Sequence, residues 1–190
     1  MFIQTEATPN PEVLKFLPGR DVLGKDTREF TSAEEAQTSP LAAAIFDLGN
    51  VKRVFFGSDF LTVTKTGDLD WRQMKAPILA AIMEHYTSGA PILAGEARAA
   101  TQVEGHRVYE GETAQIVAEI KDLLDTRIRP AVAQDGGDIL FDRFDDDGTV
   151  WLHMRGACSG CPSSSATLKA GVENMLKHYV PEVTRVEQTL

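Results

Sequence analysis

At 190 residues, with 43% hydrophobic and 25% charged, the chain has room for one large domain or two small ones and the composition of a folded protein, not a disordered one. A formal net charge of -9 and a sequence pI near 4.9 argue against nucleic acid as a partner, because phosphate binding draws on Lys and Arg, and against anionic membrane surfaces for the same reason. The opening residues Met1 to Glu6 carry neither a basic segment before an apolar run nor an Arg-rich transit composition, and the longest apolar stretch, Ala76 to Met83, contains Pro77 and is far below the roughly 20 residues of a spanning helix, so a cytoplasmic protein is expected.

Along the chain, Phe2 to Phe30 mixes short apolar-polar alternations with the turn residues Thr8-Pro9-Asn10-Pro11 and Pro18-Gly19, which predicts two strands around a turn. Pro40 suits a first helical position, and Leu41 to Leu48 follows as a short helix. Val51 to Thr64 alternates and breaks at Gly57-Ser58-Asp59, the pattern of a β-hairpin. Asp70 is placed as an N-cap for a helix in which Met74, Ile78, Ile82 and Tyr86 recur at helical spacing up to Gly89. Residues 1–88 therefore read as one small domain, and the Gly-, Ala- and Glu-rich stretch 89–112 as a linker.

Thr113 is placed as the cap of a long helix whose face is Ile116, Val117, Ile120, Leu123, Leu124, Ile128 and Val132, loosened late by Pro130 and stopped at Asp135-Gly136-Gly137. Ile139 to Phe144 and Thr149 to Met154 flank the turn signal Asp145-Asp146-Asp147-Gly148 and predict a hairpin. A final helix carries Leu168, Val172, Met175, Leu176 and Tyr179 on one face before Pro181, and Val183 to Val186 forms a last short strand. Residues 113–190 are thus an α-β-β-α-β domain, and the fold class is α+β, two small domains each with a short sheet packed with helices.

The chain has two cysteines, Cys158 and Cys161, three positions apart; in a reducing compartment such a pair reads as metal-binding or redox-active. They lie between a strand and a helix whose first residue is Pro162, so both sulfurs sit near a helix N-terminus, where unpaired amides and the helix dipole stabilise thiolates. Gly156 and Gly160 permit unusual backbone angles and close approach of amides to an anion. Three readings compete: a thiol-disulfide redox motif, half of a zinc site, and half of an iron-sulfur site. The redox reading expects a thioredoxin-like framework, whereas this pair follows a hairpin. For zinc, His178 would lie roughly 25 Å away along the final helix at about 1.5 Å per residue, and His153 alone does not close a site. A symmetric dimer in which each chain gives Cys158 and Cys161 supplies four thiolates most simply.

The segments Arg129-Pro130-Ala131-Val132-Ala133-Gln134-Asp135-Gly136-Gly137-Asp138 and Gly156-Ala157-Cys158-Ser159-Gly160-Cys161-Pro162-Ser163-Ser164 closely resemble the C-terminal domain of NifU-like (Nfu-type) iron-sulfur proteins, and Phe2 to Pro11 with Leu14 to Gly19 resemble the N-terminal domain of their two-domain members. The resemblance implies a [4Fe-4S] cluster held by Cys158 and Cys161 between two chains, a homodimer formed on cluster binding, and delivery to apo iron-sulfur client proteins from upstream donors, with no enzymatic step. The N-terminal domain contains no cysteine, and client recognition or modulation of the dimer is the expected role. Ser163-Ser164-Ser165 is expected to cap the helix and Asp145-Asp146-Asp147 to be a solvated turn, while Arg155 is by default an exposed strand-end residue. Asp135-Gly136-Gly137-Asp138 is a helix stop and a possible frame for the cysteine loop, its carboxylates not ligands. Neither cysteine is expected to be needed for packing.

Overall fold

The computed structural model describes residues 2–67, 69–94, 107–160 and 162–189, with backbone only over 162–165. Its chain divides into two units, Met1–Gln102 and Val103–Leu190. Both are mixtures of helix and small sheet, and the fold class is α+β.

The first unit is built on strands β1 (Gln4–Ala7), β2 (Val13–Leu17), β3 (Arg28–Phe30), β4 (Val51–Phe56) and β5 (Leu61–Lys65), in the antiparallel order β1-β2-β5-β4-β3. Where the sequence predicted two strands before residue 30 there are three; β3 is a single turn of pleat whose one buried residue is Phe30, too short to show a period. Helices α1 (Ala33–Ala36), α2 (Pro40–Asp47) and α3 (Trp71–Ser88) complete the unit. Ser39 caps α2 by accepting from the Ala42 amide, Pro40 occupies its first turn, Asp70 accepts from the Arg72 amide at the start of α3, and Gly89 ends α3 with φ +69°. The core brings together Phe16, Phe30, Val54, Phe56, Leu61 and Val63 from the sheet with Leu41, Ile45, Met74, Ile78 and Ile82 from the helices.

The stretch read as a linker lies in its middle, 95–106, outside the described residues. Its ends are packed: Leu93 is buried and the Ala94 amide donates to the Thr38 carbonyl at 2.9 Å, while the Tyr109 hydroxyl accepts from the Phe144 amide at 2.8 Å in the second unit.

The second unit opens with α4 (Gly111–Leu123), a π-helical turn (Leu124–Ile128) and α5 (Arg129–Gln134). The helix starts two residues before Thr113: Glu110 takes the extended N-cap backbone, with no side-chain cap bond. Pro130 has no amide to donate four residues back and its ring crowds the carbonyl there, so the turn before it widens, the Arg129 amide reaching the Leu124 carbonyl five residues earlier. Val117, Ile120, Leu123, Leu124, Ile128 and Val132 are buried across all three segments, with Ile116 packed beside them, as the periodicity predicted. Strands β6 (Gly137–Phe144) and β7 (Thr149–Gly156) form the antiparallel hairpin, α6 (Pro162–Tyr179) crosses over, and β8 (Arg185–Thr189) pairs parallel to β7, giving the order β6-β7-β8. On α6 the buried face is narrower than expected: Val172, Leu176 and, just past the helix, Val180 are buried, but Met175 and Tyr179 are 37% and 42% exposed. Tyr179 instead lies under the Arg127 guanidinium, whose Nη1 donates to its hydroxyl at 3.1 Å.

Candidate metal centre

Cys158 lies just beyond the end of β7, with Ala157 between them. The ladder pairs Gly137 with Gly156 at the end of the hairpin, and the Ala157 amide donates to the Gly136 carbonyl at 3.1 Å, so the turn that ends α5 and the loop that carries the cysteine are tied to each other. Gly136, Gly156 and Gly160 have φ of +82°, +64° and +86°; the last two are the unusual angles expected around the cysteines. Gly137 is needed for a different reason. A Cβ there would collide with Cys158 Sγ and fall 2.8 Å from the Arg155 carbonyl oxygen, so only glycine lets β6 pass beneath the thiol.

An ion pair between half-buried Arg129 and buried Asp138 fixes the start of β6. Arg129 donates from Nε to Asp138 Oδ1 at 2.8 Å and from Nη2 to Asp138 Oδ2 at 3.0 Å, Asp138 Oδ1 also accepts from the Ile139 amide at 2.9 Å, and Arg129 Nη1 reaches Asp125 at 2.9 Å. The Asp138 side chain is 4% exposed, and its hydrogen bond to Arg129 raises the guanidinium pKa further, against the desolvation that would lower it. Asp138 is therefore engaged by protein donors on both oxygens. The bidentate strut from Arg129 across Gly136-Gly137 was not read from the sequence; an Arg nine residues before an Asp gives no periodic signal.

Cys158 itself departs from expectation twice. It is 5% exposed and belongs to the buried cluster that includes Val132, Ile139 and Met154, so it does contribute to packing. Burial first, then the carboxylates of Asp135 and Asp138, push its pKa up to about 12, where a thiolate held by the helix start was anticipated. The reason is geometric: α6 begins at Pro162, four residues beyond Cys158, and the thiol faces the apolar core and two acids. Cys161 and the side chains of Ser163-Ser164-Ser165 lie outside the described residues, so the second proposed ligand and the helix caps have no observed geometry.

The remaining calls fall out simply. Asp145-Asp146-Asp147-Gly148 is the hairpin turn, the Gly148 amide donating to the Asp145 carbonyl at 2.9 Å, but Asp145 is not merely solvated: its carboxylate accepts from Arg107 at 2.9 Å and from Trp151 Nε1 at 2.8 Å. Arg155 is half-buried opposite Asp138 in the β6–β7 register, where an exposed strand end was expected. His153 Nδ1 lies 3.4 Å from Thr189 Oγ1 on β8. Among the described residues no three His, Cys, Asp or Glu side chains are grouped to hold a metal ion.

The thiol's environment makes a direct prediction. In the apo chain at pH 7.5, iodoacetamide should label Cys158 at least about a hundredfold more slowly than free cysteine, read peptide by peptide by mass spectrometry. Because the folded pKa lies above the ordinary thiol value, the unfolded chain loses this proton first, so the thiol's contribution to stability is complete below about pH 8.5 and is lost as the pH rises toward 12. Labelling as fast as a free thiol would contradict the buried, protonated state.

Residues 3–89 match the family described as scaffold protein Nfu/NifU N terminal, and residues 120–187 match the NifU-like domain. The chain is 52% identical to NifU-like protein 5, mitochondrial, of Arabidopsis thaliana, over 99% of this chain and 68% of that protein. It is 48% identical to the human NFU1 iron-sulfur cluster scaffold homolog, mitochondrial, over 100% of this chain and 72% of that one. Both relatives are longer than this chain, which covers 68% and 72% of their lengths. A solution structure of a NifU-like protein from Saccharomyces cerevisiae is similar over 50% of this chain and 85% of its own, at 27% identity and a TM-score of 0.45. The mitochondrial designation of these relatives overturns the expectation of a cytoplasmic protein. That expectation drew on the opening residues, and an organelle address is read from a segment distinct from the folded domains.

Proposed function

The chain belongs to the Nfu/NifU-like family, and from that premise we propose that it carries an iron-sulfur cluster as cargo, bound by Cys158 and Cys161 of two chains as a shared [4Fe-4S] unit, and passes it to apo-proteins without an enzymatic step. The observation that supports this most is the seat of Cys158: a thiol fixed against Gly137, just past a strand end braced by the Arg129–Asp138 pair, with a second cysteine three positions on in the sequence. Two cysteines per chain cannot complete the four-thiolate set that such clusters take, so a second chain is required.

The residues have divisible roles. Cys158 and Cys161 are the donors; ligation consumes thiolates, so each chain releases protons on loading and recovers them on transfer. Gly137 leaves the space in which Sγ sits, and the Arg129–Asp138 pair holds the strand beneath it. Because each chain contributes only two bonds, a client's cysteines can replace them stepwise. The first unit, which has no cysteine, would recognise clients or modulate the dimer.

Iron, zinc and acid-labile sulfide per chain, measured on anaerobically reconstituted protein with its mass in solution, test the proposal. About two irons and two sulfides per chain in a dimer are expected for one shared [4Fe-4S] unit, and about one of each would point to [2Fe-2S]. A colourless monomer with zinc or no metal would reject cluster carriage.

A further inference from the structure

We infer that the exposed face of α6 running through Thr167, Gly171, Met175 and His178 is the surface on which a second copy of this chain packs. The inference rests on the shared-cluster reading above and adds where the two chains touch. The helix begins at Pro162, immediately after Cys161, so a second copy that brings its own cysteine pair to the same centre comes up against this helix.

Gly171 is the first argument. It lies mid-helix and exposed, and a Cβ on it would meet nothing within 4 Å among the described residues. The packing of the described residues does not call for glycine here, and glycine is among the poorest helix formers. A flat spot on a helix lets a second helix approach closely. Met175, one turn further, is 37% exposed although the helix already buries Val172 and Leu176, and its flexible thioether suits an adaptable contact.

Charge is the second argument. The three charged residues of α6, Lys169, Glu173 and Lys177, lie together on another flank and are engaged: Lys169 with Glu187 at 2.7 Å, Lys177 with Glu173 at 2.6 Å, and Glu173 also with the Val186 amide at 3.0 Å. The face through Thr167, Gly171, Met175 and His178 contains no Lys, Arg, Asp or Glu. Two copies of a chain with net charge -9 repel over most of their surface, and an uncharged face is where they meet at least cost. Around a two-fold axis through the shared centre the contact is isologous, each Gly171 facing the same face of the other copy. The two helix starts then point toward the same anionic centre, the favourable sense for their dipoles. One helix face buries well under the roughly 1,000 Å² of a stable interface, so the contact holds only while shared ligands add to it.

Gly171→Glu tests this, with Ala118→Glu on the exposed side of α4 as a control of equal charge. The apo Gly171→Glu chain should melt at or above the temperature of the unmodified chain, since its helix improves. After anaerobic loading, sedimentation should show its dimer dissociation constant raised at least about tenfold, with Ala118→Glu unchanged. A loaded Gly171→Glu dimer as tight as the parent, equal weakening by Ala118→Glu, or a clear drop in the apo melting temperature would each overturn the contact. The first of these leaves the shared-cluster reading standing. If the unmodified chain forms no cluster-bearing dimer, that reading falls and the contact falls with it.

Discussion

Cys158→Ala should retain no cluster after reconstitution, while the second unit loses only about 1 kcal/mol of stability, the scale of removing one buried heavy atom from a core. The two effects must be measured together because Cys158 is 5% exposed and part of the core, so some destabilisation accompanies the substitution. Against the roughly 5–15 kcal/mol of a typical domain, a loss of that size leaves the fold populated, and an empty site then reports the missing ligand, not unfolding. Iron and sulfide analysis gives the first quantity. Denaturant titration following Trp151 fluorescence in a Trp71→Phe background gives the second. A full complement of iron and sulfide on the Cys158→Ala chain would end the two-plus-two assignment.

Gly137→Ala removes nothing and should nonetheless cost more. The added methyl collides with Cys158 Sγ and stands 2.8 Å from the Arg155 carbonyl and 3.1 Å from the Cys158 amide. Two of these obstacles are backbone, so no rotamer change relieves them; the strand or the cysteine loop must shift. Overpacking of this kind costs about 3 kcal/mol, at the upper end of its usual range. The expected result is a second unit destabilised by about that amount and a cluster lost on gel filtration even where the protein remains folded. The same titration and iron analysis decide it; unchanged stability with full cluster retention would mean that the Gly137–Cys158 contact does not govern the site.

Local signals in the sequence were legible where a single residue does a local job. Asp70, Pro40 and Gly89 mark helix ends because capping and left-handed backbone are properties of one residue and its next few neighbours. The long helix of the second unit was legible in its buried face and misread at its start, since Thr113 is a good cap by type but the backbone turns extended at Glu110. Met175 and Tyr179 fit a helical period and are still exposed, because a sheet packs against only one side of a helix and their side of α6 lies at the edge of that contact. At the candidate site the cysteine pair was plain and its environment was not. The contact of Gly137 with Cys158 and the pairing of Arg129 with Asp138 depend on the register of β6 with β7 and on the widened turn before Pro130, neither of which leaves a periodic trace.

The parallel pairing of β8 with β7 bears on when the protein becomes competent during its own synthesis. Thr149 pairs with Arg185 and His153 with Thr189, so the strand that leads into the cysteine loop gains its second neighbour only after the crossover helix has been made and folded back. Non-local pairing of this sort is slow to form, because a long loop must close before any contact rewards it. A nascent chain that has produced both cysteines but not Arg185 to Thr189 has β7 bound on one side alone and Val186 absent from the core. The cysteine pair is thus translated before its scaffold is finished, and newly made protein passes through an interval in which the Cys158 thiol exists without its fixed seat.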